Sequence, residues 1–72
     1  MSMQEEIKIF CRNICRRREE ASLSAGELSR RSGVPLEMLE SLERNILPPE
    51  MDVGHALALA KVFGCQIYEL FQ

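Results

Sequence analysis

The stretch that decides the fold is LSAGELSRRSGVPLEMLESLERN, which occupies residues 23–45. Ser24 and Glu27 have the spacing of a capping box, in which each side chain accepts a hydrogen bond from the backbone amide of the other residue. Gly33 stands where a left-handed residue ends a helix. The pattern therefore predicts a short helix from Ser24 to Ser32.

A second helix is predicted directly after Gly33. Pro35 fits a first helical turn, because its missing N–H needs no acceptor there. Met38, Leu39 and Leu42 recur at helical spacing, and Asn45 suits the left-handed position that ends a helix. The expected helix covers about residues 35–44, so a helix-turn-helix unit is predicted at about residues 24–44. Such a unit holds one face of its second helix in the core and presents the other outward, a geometry that fits the major groove of DNA.

Three further helices are expected around this unit. The first covers about residues 3–20, where Ile7, Phe10 and Ile14 recur at helical spacing and polar residues, Asn13 among them, fall between them. Another begins after Asp52 and ends at Gly64. Its predicted apolar face consists of Val53, Ala56, Leu57, Ala60 and Phe63. Ile67, Leu70 and Phe71 fit a last short helix. The prediction is thus one all-α domain over residues 1–72 with five helices.

Composition limits the classes of function. The chain has 72 residues, of which 46% are hydrophobic and 28% charged, as in ordinary globular proteins. Its net charge of -2 argues mildly against nucleic acid, because DNA binders neutralise phosphates with cations. The arginines nevertheless cluster in the first half. No apolar run approaches the ~20 residues that span a bilayer. No signal peptide is recognised, so we expect no membrane contact and a cytoplasmic location.

The three cysteines have two interpretations. Cys11 and Cys15 lie one helical turn apart and could hold a metal together with Cys65 and His55. Because no ligand pair shows CxxC or HxxxH spacing, packing in the core is favoured, and neither a metal nor a cofactor is expected. We expect a structural role for His55. No nucleophile–base pair or phosphate loop is recognisable, so the sequence does not predict an enzyme.

Two stretches of this sequence resemble a known protein family. LSAGELSRRSGVPLEMLESLERN resembles the helix-turn-helix signature of the Xre-type, phage-repressor-like transcriptional regulators, and ALALAKVFGCQIYELF resembles that family's fourth and fifth helices. The similarity extends from about Ile7 to Phe71. It implies a five-helix phage-repressor-like fold and a cytoplasmic homodimer. It also implies binding of double-stranded DNA, with helix 35–44 in the major groove.

The resemblance also implies a set of DNA-contacting positions in the helix ends and along the third helix. These positions are Arg16, Arg17, Arg18, Ser24, Ala25, Leu36, Glu37, Glu40, Ser41, Arg44 and Asn45. Ala25 occupies a position that is commonly Gln in the family. The arginines would contact phosphates; alternatively they are solvated or paired with Glu19, Glu20 and Glu43. For Glu43 the resemblance implies a structural pair with an arginine of the first helix, Arg12 or Arg16, rather than base reading.

The outward residues of helix 35–44 leave an alternative function open. Ser41 can hydrogen-bond a base or a phosphate, Leu36 can touch a thymine methyl, and Glu37 or Glu40 can accept from a cytosine amino group. Carboxylates in the groove are otherwise repelled by phosphate. The alternative is a helix-turn-helix domain used for protein–protein interaction through its acidic third helix, with a basic partner or a second copy.

Overall fold

Four α-helices and one C-terminal 3-10 helix make up the computed structural model, which describes residues 3–72. The α-helices are α1 (Gln4–Glu20), α2 (Ala25–Ser32), α3 (Leu36–Glu43) and α4 (Val53–Phe63), and the 3-10 helix is Ile67–Phe71. The described range contains no strand, so the all-α class is confirmed. The fifth segment is helical but 3-10 rather than α. The predicted domain also includes residues 1 and 2, which lie outside the described range.

Reciprocal capping boxes begin α2 and α4. Glu27 N donates to Ser24 Oγ at 3.0 Å and Ser24 N donates to Glu27 Oε1 at 2.9 Å, as predicted. At α4, His55 N donates to Asp52 Oδ1 and Asp52 N donates to His55 Nδ1, both at 3.1 Å. His55 therefore has the structural role expected of it. Pro35 lies just before α3, in extended backbone, rather than in its first turn.

All four α-helices are followed within two residues by a residue with positive φ. Gly33, Asn45 and Gly64 were predicted there, with φ values of 78°, 61° and 67°. Ser22, with φ 58°, was not predicted. Leu23 N donates to Arg18 O at 3.1 Å and Ser22 N to Glu19 O at 3.0 Å, the hydrogen-bond pair of a Schellman motif. Each helix thus ends sharply, and the connections that follow α1, α2 and α4 are short.

One core is shared by all the helices. Helix α1 packs against α3 and the 3-10 helix, and α2 packs against α3 and α4. The largest fully buried side chains are Ile14, Leu28, Leu39, Leu42, Leu59, Leu70, Val34 and Cys11. The predicted apolar face of α4 is wrong in part: Val53 and Leu57 are exposed, whereas Leu59 is buried. Helix α4 is apolar on most sides, so periodicity alone did not select the face that packs.

Two side chains of α1, Phe10 and Asn13, contact the C-terminal 3-10 helix and the residue that follows it. The Phe10 and Phe71 rings stack with centroids 5.0 Å apart. Asn13, expected on the polar face of α1, is buried, and its Nδ2 donates to Leu70 O at 2.9 Å and to Gln72 O at 3.1 Å. Because a buried amide needs partners, this pair of hydrogen bonds fixes where the end of the chain lies.

The left-handed Ser22 predicts a stabilising substitution. Ser22→Gly removes the Cβ that disfavours positive φ and should raise the free energy of unfolding by about 0.5–1 kcal/mol. Urea unfolding followed by circular dichroism measures the change. Ala21→Gly is the matched control, because Ala21 is also exposed but has φ -83°. A gain for Ala21→Gly equal to that for Ser22→Gly would contradict the explanation.

Candidate functional site

The turn between α2 and α3 is fixed by two serine hydroxyls as well as by Gly33. Ser29 Oγ donates to Val34 O at 2.7 Å. Ser32 Oγ donates to Leu28 O at 2.7 Å and accepts from Val34 N at 3.1 Å. The Val34 side chain is buried beneath the turn. The angle between the two helices is therefore set by several short-range contacts, of which only the glycine was predicted.

Helix α3 has one buried face and one exposed face. Leu39 and Leu42 lie in the core. Leu36, Glu37 and Glu40 are exposed on the outer face, where the sequence predicted them. Among residues 3–72, neither the Glu37 nor the Glu40 carboxylate has an ion-pair or hydrogen-bond partner that would neutralise it. The outer face of α3 is thus acidic and free to contact another molecule.

The remaining predicted contact residues of the unit lie at the ends of α2 and α3. Ser41 is half-buried, and its Oγ donates to Glu37 O at 3.1 Å, so its hydroxyl can only accept from a ligand. Arg44 and Asn45 are exposed just after α3. Ser24 uses its Oγ to cap α2. Ala25 is half-buried at the first position of that helix, where backbone amides have no intrahelical acceptor.

The three consecutive arginines of α1 are each close to a carboxylate. Arg16 Nε lies 4.0 Å from Glu20 Oε2, in a pair that is exposed to solvent. Arg17 Nη2 lies 3.8 Å from Glu69 Oε1 of the 3-10 helix. The pairing alternative named the partner of Arg16 correctly, but it did not include Glu69 as the partner of Arg17. Arg16 is the most accessible of the three arginines.

Arg18 is the partner of Glu43, which corrects the expected pairing with Arg12 or Arg16. Its Nε donates to Glu43 Oε2 at 2.9 Å, and its Nη1 donates to Leu23 O at 2.8 Å. The side chain is only 17% exposed. The expectation failed because the register of α1 against α3 places the last turn of α1 beside the end of α3, a tertiary relation that spacing along one helix does not give.

This ion pair shifts the neighbouring pKa values. The hydrogen bond from Arg18 lowers the pKa of Glu43, against an opposing effect of burial. Burial, reinforced by the Glu43 carboxylate, raises the pKa of Cys15 to about 12. Cys15 therefore remains a neutral thiol at physiological pH, which makes it a poor nucleophile and a poor metal ligand. Within residues 3–72, no group of three His, Cys, Asp or Glu side chains is placed to hold a metal ion.

The cations of the helix-turn-helix unit lie at the ends of α2 and α3. Arg30, Arg31 and Arg44 are exposed, and no ion pair joins them to any residue of the described range. Arg12 on α1 is also exposed. The carboxylates of Glu37 and Glu40 lie on the same unit, so the surface of the helix-turn-helix unit carries both positive and negative charges.

Comparison with known protein families, with curated proteins and with solved structures finds no match to this chain. Across residues 3–72, no helix combines the length and the apolar character needed to cross a membrane.

The Arg18–Glu43 pair predicts a pH-dependent stability. Because the pKa of Glu43 is lowered in the folded state, its contribution is present above the unfolded-state pKa and is lost as pH falls through the folded value. Glu43→Gln should lower the free energy of unfolding by about 0.5–1 kcal/mol at neutral pH, a magnitude reduced by partial exposure. The difference from the unsubstituted chain should shrink as the pH is lowered into the acid range.

Glu40→Gln is the matched control, because Glu40 lies on the same helix and is exposed with no partner among the described residues. Urea unfolding of both variants at neutral and acid pH measures the effect. A constant deficit for Glu43→Gln across this range, or an equal one for Glu40→Gln, would rule out the ion pair as its source.

Proposed function

We propose that the chain is a DNA-binding transcriptional regulator of the phage-repressor-like helix-turn-helix type, which acts as a dimer and places α3 in the major groove. The observation that supports this most directly is the geometry of α2 and α3. The capped start of α2 and the turn at Gly33 hold α3 with Leu39 and Leu42 in the core and its outer face exposed. A short helix presented in this way fits the major groove.

The surface favours phosphate contacts over base contacts. Arg44 follows α3, Arg30 and Arg31 end α2, and Arg16 ends α1 with only a weak, exposed ion pair. The free amides at the start of α2 can also bind a phosphate. On α3, Leu36 is suited to a thymine methyl and Ser41 to a donor such as an adenine or cytosine amino group. We therefore propose about three to four phosphate contacts per chain.

Titration of a fluorescent random-sequence duplex tests the proposal. With about three phosphates neutralised per chain, the plot of log K against log salt concentration should have a slope of about -3 for one bound chain and about -6 for a bound dimer. Arg44→Ala should reduce this slope by about one per bound chain. Lys61→Ala is the matched control, because Lys61 is an exposed cation outside the helix-turn-helix unit. Absence of binding at ~50 mM salt, where phosphate contacts are strongest, would refute the proposal.

A second candidate function is recognition of a basic protein partner by the outer face of α3. It is favoured by one observation. Glu37 and Glu40 are exposed and have no partner within residues 3–72, and they lie beside Leu36, which is 40% exposed. The same titration separates the two functions when it includes the Glu37→Gln, Glu40→Gln double variant. For a DNA binder, removing two carboxylates near phosphates should strengthen duplex binding several-fold. For a protein binder, neither form binds the duplex, and the double variant loses binding of a helical Lys- and Arg-rich peptide.

A further inference from the structure

An apolar groove lies outside the helix-turn-helix unit. It is enclosed by the start of α1, the α3–α4 connection, the start of α4 and the 3-10 helix, and it has a volume of about 290 Å³. Ile7, Phe10 and Ala56 contribute to its lining. Neither α2 nor α3 contributes a residue, so an occupant of this groove would leave the outer face of α3 uncovered.

Large apolar side chains stand exposed at the edge of the groove. Met3 is 73% exposed, Val53 67%, Phe71 45% and Leu47 39%. Taking about 1.45 Å² per dalton for a fully exposed residue, these four expose roughly 400 Å². One side of a standard protein interface covers ~800 Å², of which a little over half is apolar. The four residues, with their backbone atoms included, thus supply about half of the area that one partner needs.

From this arrangement we propose that the groove is where two copies of the chain pair. In a two-fold contact the same patch of each copy meets, so a self-associating patch must carry both a hollow and the side chains that fill it. This patch carries both, because Met3 and Val53 border the hollow and remain exposed. The proposal specifies the surface for the dimer of the proposed function, but it involves no DNA contact.

Glu6 limits the strength of the pairing. Glu6 lines the groove, and its Oε2 is buried and has no hydrogen-bond partner in the described part of the chain. Closing an apolar contact over an unpaired carboxylate opposes association. The dimer is therefore expected to be weak, and the neutral, isosteric Glu6→Gln should strengthen it several-fold.

Sedimentation equilibrium of the chain without DNA, over concentrations up to about 500 μM, tests the pairing. Val53→Asp should raise the dimer Kd about tenfold or more. Leu36→Asp is a closely matched control, because Val53 and Leu36 are both exposed apolar residues at the first position of a helix. An aspartate at that position suits the helix dipole, so both variants should keep the fold, which thermal unfolding by circular dichroism checks.

Three results would overturn the proposal. They are a monomer at every concentration, a Kd unchanged by Val53→Asp, or a dimer disrupted by Leu36→Asp alone, which would assign the pairing to the acidic face of α3. Because no DNA is present, each of these results is distinct from a failure of DNA binding. A chain that binds the duplex as a monomer would retain the proposed contact with DNA and lose only this interface.

Discussion

The arrangement of the helices depends on the Arg18 guanidinium. It binds the Glu43 carboxylate at the end of α3 and the Leu23 carbonyl oxygen just before α2. One side chain of α1 therefore fixes both ends of the helix-turn-helix unit. Hydrogen bonds that involve charged groups are stronger than neutral ones, and this one is partly shielded from water. This contact, the turn at Gly33 and the burial of Leu39 and Leu42 together hold the direction of α3 relative to the rest of the molecule.

The same contact determines what the surface offers to a ligand. Arg18 and Arg17 are used within the fold, so the cations that the helix-turn-helix unit itself offers to phosphates lie at the ends of α2 and α3. The outer face of α3 retains two carboxylates that have no partner in the part of the chain that the structure describes. A DNA complex of this chain would depend on arginines and backbone amides at helix ends, with few polar contacts to bases from α3. Because the surface carries both positive and negative charges, recognition of a protein partner remains the competing function.

Local signals in the sequence predicted the starts and ends of the helices. The capping box at Ser24 and the left-handed positions of Gly33, Asn45 and Gly64 each depend on a few neighbouring residues, so they could be recognised from the sequence. Ser22 occupies the same conformation, but serine gives no comparable signal. Interactions between neighbouring residues therefore predicted the helices and most of their boundaries.

The sequence could not predict how the helices pack against one another. The partner of Glu43 depends on how α1 and α3 are aligned, and the burial of Asn13 depends on where the last residues of the chain pack. On α4, tertiary packing selected Leu59 for the core and left Val53 and Leu57 exposed. For the site, the outward positions on α3 followed from helical periodicity, whereas the pairing of the α1 arginines required the three-dimensional arrangement.

The central claim, that the α2–α3 surface contacts DNA, is tested most directly by NMR chemical-shift mapping of the chain with a duplex at low salt. The account predicts that the largest shifts fall on the amides that begin α2 and on the residues from Leu36 to Asn45. Shifts confined to the groove between α1 and α4, or no shifts at a saturating concentration of duplex, would contradict it.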